Sequence, residues 1–253
     1  MKYAALLLLI IVLIVGCSTT KTSKVLPVND QFKFAMDLYD NGKYLKAQTA
    51  FENLIYTYPG NAVIDTAQFY LGMCYYQRKD YGLASGEFKR VLTAYPNSGF
   101  ADDSQYYIAM SHYKLSPKYS LDQGETNQAI YEFNLLTSTY ISSPFVKEAR
   151  QRVAELTDKL AEKKFKAGEL YLKIGYYDAA LTYFSYVRDN YPSTNWAIMA
   201  YYYSGEAQLK LKKYDEAEHI FDTFIVGFPD NELVPEAKKN LEKLKKIVAG
   251  DES

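Results

Sequence analysis

One spacing recurs four times along the chain, and it constrains the fold more than any other feature. A small residue is followed by an alanine 12 residues later, a phenylalanine 4 residues after that, and a proline 8 residues further on. The four copies are Ala35, Ala47, Phe51, Pro59; Gly72, Ala84, Phe88, Pro96; Gly168, Ala180, Phe184, Pro192; and Gly205, Ala217, Phe221, Pro229. Three residues before each alanine at the second position stands a tyrosine: Tyr44, Tyr81, Tyr177 and Tyr214.

Each copy predicts a hairpin of two amphipathic helices, because its apolar residues recur at spacings of three and four. In the second copy Asp80, Tyr81 and Gly82 are expected to form the turn, and Pro96 ends the unit. A lone hairpin leaves its apolar face open and must stack on further hairpins. The pattern is that of the tetratricopeptide repeat. The predicted fold is therefore all-α: an α-solenoid of five such helix-turn-helix repeats with a C-terminal capping helix.

The third repeat departs from the pattern. Its two alanines, Ala109 and Ala129, are 20 residues apart, and Ile141 stands where the other repeats have proline. The additional residues between the two alanines predict an extended connection within residues 115–127. After this repeat, residues 146–164 contain no proline or glycine and are rich in strong helix formers. We predict one long helix there, running from the end of repeat three into repeat four.

The end of the chain has the pattern of a cap. After Pro235, the residues Leu241, Leu244 and Ile247 form a narrow apolar seam among lysines. A helix that is apolar on one side and polar on the other suits the end of a solenoid.

The first residues have the pattern of an export signal. Lys2 precedes twelve apolar residues, 4–15, which is too short a run for a comfortable membrane span. The run ends in Ile14-Val15-Gly16-Cys17 and resembles the bacterial lipobox, in which the cysteine is lipidated and becomes the mature N-terminus. An uncleaved signal anchor with an incidental cysteine is the alternative.

The lipobox resemblance also implies a location. Cys17 would carry a covalent lipid such as palmitate, which is the only cofactor expected, and the polar residues 18–24 would form a flexible tether. Ser18 stands where many lipoproteins retained at the inner membrane have aspartate. The implied location is the periplasmic face of the cell outer membrane, reached through the lipid anchor and not through a transmembrane helix.

Composition and motifs argue against catalysis and nucleic-acid binding. The net charge is −1, so no basic footprint for nucleic acid exists. Cys17 and Cys74 are the two cysteines, and Cys74 is expected to be a small buried hydrophobe. His112 and His219 stand far apart, and no metal-ligand, nucleophile or phosphate-loop motif occurs. We expect no catalytic residue, no metal site and no enzyme activity.

Binding is the remaining class of function, and in this fold the first helices line the concave surface. Around the small residue, repeats one to three carry an aromatic, a methionine and a tyrosine, which we call the Met–aromatic ladder: Phe32, Met36, Tyr39, Phe69, Met73, Tyr76, Tyr106, Met110 and Tyr113. Repeats four and five carry what we call the charged set: Phe165, Glu169, Leu172, Lys173, Tyr202, Glu206, Leu209 and Lys210. Methionine and tyrosine suit a peptide groove, and packing between repeats is the alternative.

The whole arrangement resembles the BamD family of lipoproteins in the β-barrel assembly machinery. Two regions carry the resemblance beyond the generic repeats. One is the extension of repeat three, with Ser116-Pro117, Leu121-Asp122-Gln123, Thr126, Ala129-Ile130 and Phe133. The other is the run 152–184, with Asp158, Leu160-Ala161, Tyr171-Leu172-Lys173, Gly175, Tyr177 and Ala179-Ala180.

The resemblance implies a scaffold and receptor in the assembly of outer-membrane proteins. Members dock on the periplasmic domains of the barrel subunit BamA through their C-terminal repeats, so the charged set is the candidate partner-facing surface. Their N-terminal repeats are linked to the C-terminal strand of unfolded β-barrel proteins, so the ladder is the candidate client groove. Other lipoproteins of the machinery are further candidate partners. A second hypothesis is a different periplasmic repeat lipoprotein that coordinates peptidoglycan synthesis or division.

These inferences divide the chain into four segments. Residues 1–16 are the expected signal peptide, and residues 17–29 are the lipidated N-terminus and tether. Residues 30–145 contain repeats one to three, the candidate client-binding half. Residues 146–253 contain the long connecting helix, repeats four and five and the capping helix, which together form the candidate BamA-binding half.

Overall fold

The computed structural model describes residues 26–250, and within that range all regular structure is α-helical. The helices of this range are α1 (Val28–Asp40), α2 (Tyr44–Thr57), α3 (Ile64–Gln77), α4 (Tyr81–Ala94), α5 (Ala101–Leu115), α6 (Gly124–Thr139), α7 (Val146–Lys173), α8 (Tyr177–Asn190), α9 (Asn195–Lys210), α10 (Tyr214–Gly227) and α11 (Val234–Val248). The expected signal peptide, the Cys17 lipidation site and the tether as far as residue 25 lie outside the described residues.

Consecutive helices pack against one another from α1 to α11. The hairpins of the five repeats are α1–α2, α3–α4, α5–α6, the second half of α7 with α8, and α9–α10. The alanine and phenylalanine of every second helix are completely buried: Ala47, Phe51, Ala84, Phe88, Ala129, Phe133, Ala180, Phe184, Ala217 and Phe221. The described chain is a tetratricopeptide-type helical solenoid, and the prediction of this fold class is confirmed.

In repeats two, four and five the small residue of the first helix is a glycine, and the phenylalanine of the partner helix leaves no room for a side chain there. A Cβ atom added to Gly72 would lie 2.6 Å from a ring carbon of Phe88. The corresponding distance from Gly205 to Phe221 is 2.7 Å. Such distances are far below van der Waals contact, so the two helices approach this closely only because the glycine has no side chain.

The turn of the repeat-two hairpin lies earlier than the sequence suggested. Lys79 has a φ of +66°, and the N–H of Asp80 donates to the carbonyl of Tyr75 at 2.9 Å. This arrangement closes a helix by a left-handed residue. Tyr81 already begins α4, so the expected turn at 80–82 was wrong by about two residues. Gly42, Gly175 and Lys212 occupy the same turn position in repeats one, four and five, also with positive φ.

The long helix α7 contains the whole predicted run 146–164 and continues to Lys173 as the first helix of repeat four. Its first half packs against α6 through Ala149, Val153 and Leu156. Its second half packs against α8 and α9 through Ala161 and Phe165. One rigid helix therefore connects two hairpins that are not stacked directly on each other.

The insertion in repeat three is an ordered connection between α5 and α6. The side-chain amide of Gln123 donates to the carbonyls of Lys118 and Leu121 at 2.8 and 3.0 Å. Lys159 Nζ of α7 donates to Ser116 Oγ at 2.9 Å, and Lys163 Nζ donates to the carbonyl of Leu121. The connection is thereby fastened along the middle of α7.

At the C-terminal end, α11 closes the core. Val234, Ala237, Leu241 and Leu244 are buried against α10, whereas the lysines of α11 are exposed. This distribution is that of a solenoid cap.

Candidate functional site

The aromatic positions of the Met–aromatic ladder connect one repeat to the next. Phe69 is buried and stacks on Phe100 with ring centroids 4.6 Å apart. Tyr106 is buried in the same way and stacks on Phe145 at 4.2 Å. Phe100 and Phe145 directly precede α5 and α7, so each pair joins a first helix to the start of the following one.

The methionines and second tyrosines of the ladder lie in the same seam. Met73 and Met110 are buried, and Met36 is half-buried. The rings of Tyr39 and Tyr76 each meet a tyrosine of the following repeat edge-on, at 5.1 Å. Burial raises the pKa of both phenols to about 12.

Tyr113 ends the ladder in a polar cluster at the start of α7. Its hydroxyl donates to Glu155 Oε1 at 2.6 Å and accepts from Arg152 Nη1 at 3.0 Å. The guanidinium of Arg152 also lies 4.8 Å from the centre of the Tyr113 ring. The cluster joins α5 to α7, and burial followed by the contact with Glu155 raises the pKa of Tyr113.

The structure therefore brings the ladder residues together as a seam between first helices. The rings of Tyr39, Phe69, Tyr76 and Tyr106 contact aromatic residues beyond their own repeat. Part of the surface stays exposed at Phe32, Met36, Tyr39, Tyr76 and Tyr113. The role of the ladder in ligand binding stays a prediction.

In repeats four and five the aromatic position of the charged set is buried, as in the ladder, but the positions nearer to solvent are more polar. Phe165 and Tyr202 are buried, whereas Lys173 and Lys210 are exposed. The hydroxyl of Tyr202 donates to Glu206 Oε1 at 3.0 Å, and burial raises the pKa of the Glu206 carboxyl. Glu169 accepts from Lys166 Nζ at 2.9 Å, while Leu172 and Leu209 are half-buried.

An apolar groove on the first repeat was missed by the sequence reasoning. It lies between α1 and α2, has a volume of about 560 Å³ and is lined by Phe34, Leu38, Leu45, Lys46, Thr49, Ala50 and Asn53. Phe34 and Leu45 are 56% and 61% exposed. In repeats two and three the position of Phe34 holds Leu71 and Ile108, which are buried. Phenylalanine and leucine at these two positions of the first repeat were the available signal.

The contact of His112 with Ser85 and Glu125 resembles the serine–histidine–acid triad of hydrolases, but it lacks an oxyanion hole. His112 lies 3.3 Å from Ser85 Oγ through Nε2 and 2.7 Å from Glu125 Oε2 through Nδ1. Ser85 is buried within α4, where the backbone N–H groups are already used by the helix and cannot serve as oxyanion donors. The contact joins three helices. His219 is exposed on α10.

Between residues 26 and 250 no group of three or more histidine, cysteine or acidic side chains is arranged to hold a metal ion. Cys74 is buried, as expected of a small hydrophobe, and burial raises the pKa of its thiol to about 12. None of the helices described above is long and apolar enough to cross a membrane.

These features define a helical repeat protein of the tetratricopeptide type. A family model described as YfiO, outer membrane lipoprotein, matches residues 26–220, which is more than half of the chain. The chain belongs to this family. It is also similar to a protein of Rickettsia prowazekii (strain Madrid E) named outer membrane protein assembly factor BamD, with 25% identity over 232 residues, 91% of this chain and 92% of the relative. The resemblance to the BamD family is confirmed.

Solved structures of tetratricopeptide-repeat proteins are similar only in their general architecture. The TPR2AB-domain:pHSP90-complex of yeast Sti1 is 14% identical and covers 88% of this chain and 86% of that chain, with a TM-score of 0.48. The P58(IPK) TPR domain is also 14% identical and covers 89% of this chain and 67% of that chain, with a TM-score of 0.44. These similarities carry no inference about ligands.

Proposed function

We propose that this protein is a non-enzymatic scaffold, lipid-anchored at Cys17 on the periplasmic face of the outer membrane, that assists the insertion of β-barrel proteins into that membrane. The observation that carries the proposal is the family match across 26–220, together with a relative named as an outer membrane protein assembly factor that aligns along almost its whole length. The all-helical repeat architecture supports a binding role, since solenoids offer long surfaces to partner proteins.

Within this function, repeats four and five dock on the periplasmic domains of BamA. The change from methionine and tyrosine to Glu169, Glu206, Lys173 and Lys210 supports this division, because charged side chains favour specific polar contacts and the two lysines are exposed. Repeats one to three hold an unfolded β-barrel client. The exposed edges of the ladder and the groove beside Phe34 supply apolar surface for it.

The overall role is tested by controlled depletion in the native cell. Loss of the protein is expected to lower the content of folded β-barrel proteins in the outer membrane, measured by heat-modifiable gel mobility. A pull-down from detergent-solubilised membranes is expected to recover BamA. Recovery of peptidoglycan synthases without any barrel subunit would instead support the second hypothesis, a scaffold for peptidoglycan synthesis or division.

Client binding is tested with a synthetic peptide that carries the C-terminal strand of a β-barrel protein. Phe34→Glu and Tyr76→Lys are each expected to weaken binding about tenfold or more, because a charge enters apolar surface. Leu83→Glu is the matched control, because Leu83 is 59% exposed on α4 and lies outside the ladder and the groove. Unchanged affinity in folded variants would leave the ladder and groove as packing features only.

A further inference from the structure

The junction between repeats three and four leaves a helix face uncovered. In repeats two, three and five the first helix, α3, α5 or α9, packs against the second helix of the preceding repeat, α2, α4 or α8. Two residues after the small residue of these helices come Cys74, Ser111 and Ala207, and all are completely buried. At the same position in repeat four Leu170 is 57% exposed.

The cause is the offset of repeat four along α7. By comparison with α5, the first half of α7 is a first helix whose small residue is Ala154, but it has no second helix of its own, and Ala154 is exposed. The small residue of repeat four, Gly168, comes 14 residues later, about 21 Å further along the helix axis. The preceding second helix, α6, packs against the first half of α7. The insertion of repeat three then follows α7 as far as Lys163.

Beyond Lys163 the same stripe of α7 becomes apolar. Leu170 and Ile174 are one turn apart on one face and are 57% and 53% exposed, and Tyr176 beside them is 66% exposed. The step surface is defined as Leu170, Ile174 and Tyr176 with Lys163, Lys166 and Lys173 along its edge. Among the described residues no helix precedes repeat one either, but repeat one has exposed Asp37 at the position of Leu170. An aspartate suits a face that stays in water, so leucine at this position indicates a face that is covered.

The charges along the step surface favour an acidic partner. Among the nearby carboxylates, Glu169 pairs with Lys166 at 2.9 Å, and Asp178 lies 4.0 Å from Lys213. Lys166 is neutralised by Glu169, whereas Lys163 and Lys173 form no ion pair with a described residue, so these two lysines place positive charge along the edge of the apolar strip at neutral pH.

We propose that the step surface binds an amphipathic α-helix of a partner protein, with an apolar face against Leu170 and Ile174 and acidic residues along its flank. The helix takes the place that a preceding second helix occupies in repeats two, three and five. Apart from Lys173, this surface lies outside the ladder and the charged set. It does not depend on the outer-membrane assembly role, so each can fail without the other.

The test uses two synthetic peptides of about 16 residues, or four helical turns, with the same leucine and alanine face. One has glutamates along its flanks and the other has lysines. Full-length protein is held in lipid nanodiscs, with empty nanodiscs as the blank, and binding is measured by fluorescence anisotropy. The glutamate peptide is expected to bind about tenfold more tightly than the lysine peptide.

Two variants decide between apolar docking and charge alone. Leu170→Asn/Ile174→Asn, which removes apolar surface without changing charge, is expected to weaken binding of the glutamate peptide about tenfold or more, whereas the control Leu83→Asn leaves its affinity unchanged. Lys166→Glu/Lys173→Glu is expected to reverse the preference between the two peptides. Circular dichroism of each variant verifies that it is folded.

Four results would overturn the proposal. The first is equal affinity of the wild-type protein for both peptides. The second is no loss of affinity in the folded Leu170→Asn/Ile174→Asn variant. The third is a concentration-dependent dimer of the wild-type protein that this variant abolishes, since the occupant would then be a second copy. The fourth is release of the protein from phosphatidylglycerol vesicles by the same variant, since the occupant would then be a lipid surface.

Discussion

Repeats one to three and repeats four and five share their buried positions but are tied together by different polar contacts. In the first group, Gln68 Nε2 donates to Glu87 Oε2 at 2.7 Å, and Gln105 Nε2 donates to Glu132 Oε2 at 2.8 Å. Both glutamines stand four residues before the small residue. They link the first helix of a repeat to its second helix.

In repeats four and five the same column holds Lys164 and Tyr201, and cation–π contacts replace the hydrogen bonds. Lys164 Nζ lies 5.0 Å from the centre of the Tyr186 ring, and the guanidinium of Arg188 lies 4.8 Å from that of Tyr201. The comparison distinguishes two kinds of contact in the fold. The spacing of small residue and phenylalanine makes the hairpin, while the surrounding polar contacts can change without changing the architecture.

The largest expected difference between the two groups is their response to alkaline pH. Burial raises the pKa of eight tyrosines in repeats one to three, Tyr39, Tyr70, Tyr75, Tyr76, Tyr106, Tyr107, Tyr113 and Tyr140. Only three of the described tyrosines behave so in repeats four and five, Tyr191, Tyr202 and Tyr203. A phenol with a raised folded-state pKa stabilises the fold below pH 10, and this contribution is lost as pH rises through the folded-state value.

Repeats one to three are therefore expected to unfold first between about pH 10 and pH 12. Circular dichroism should decrease at a lower pH than the shift in the emission maximum of Trp196, the single tryptophan, which lies in α9. Tyr39→Phe/Tyr76→Phe should move the first transition to higher pH. Coincident transitions in the wild-type protein would contradict a difference between the two groups.

Removal of the central phenylalanine should affect both groups alike. Phe88→Ala and Phe221→Ala should each lower the free energy of unfolding by about 3–5 kcal/mol, because both rings are completely buried. The free energy of unfolding is measured by guanidinium denaturation. Circular dichroism follows the helix content of the whole chain, and Trp196 fluorescence follows the second group of repeats. Phe34→Ala is the control, and its exposed ring should contribute far less. If only one of these two variants lost stability, the phenylalanine of the shared spacing would not contribute equally in both groups of repeats.

The next largest expected effect on stability comes from substituting the small residue of the first helix. Gly72→Ala and Gly205→Ala should each lower the free energy of unfolding by about 1–3 kcal/mol, because the new methyl group meets the facing phenylalanine. Gly86→Ala within α4 is the matched control. No atom lies within 4 Å of its added Cβ, so this change should stabilise the helix by about 0.5–1 kcal/mol. Equal effects of Gly72→Ala and Gly86→Ala on thermal unfolding would refute the packing explanation.

Removal of a polar contact should have a smaller effect on the free energy of unfolding, and this effect should differ between the two groups of repeats. Glu132→Ala should cost about 1–3 kcal/mol of unfolding free energy, because the buried Gln105 amide loses its side-chain acceptor. Arg188→Ala in the second group should cost about 0.5–1 kcal/mol, since its cation–π contact is more accessible to water. Glu132→Gln keeps an acceptor and should recover most of the first loss. Larger loss from Arg188→Ala than from Glu132→Ala in urea denaturation would reverse this ranking.

The smallest expected effect lies in the turns and should again be the same in both groups. Lys79→Gly and Lys212→Gly should each raise the free energy of unfolding by about 0.5–1 kcal/mol, because glycine adopts positive φ without strain. Lys89→Gly, within α4, serves as the opposite control and should cost about 1 kcal/mol. A thermal denaturation midpoint that falls for Lys79→Gly would show that the lysine side chain contributes more than the strain removes.

Much of the fold was predictable because its signals are local. The spacing from Gly72 to Ala84 and Phe88 indicated a hairpin, and the apolar seam of α11 indicated a cap. The turn was misplaced because the strained residue, Lys79, is not a glycine and gives no sign of positive φ in the sequence. The packing of Phe69 and Tyr106 was left open because a periodic aromatic column is the same pattern whether it faces a ligand or a neighbouring helix.

The sequence by itself determined which faces of the helices are apolar and where the repeat pattern is broken. Only the tertiary structure decided which apolar faces are covered. Cys74 and Leu170 occupy equivalent positions in their repeats, but Cys74 is completely buried and Leu170 is 57% exposed. The physical reason is that a periodic pattern fixes a direction around a helix axis, whereas burial also depends on how far along α7 the next hairpin packs.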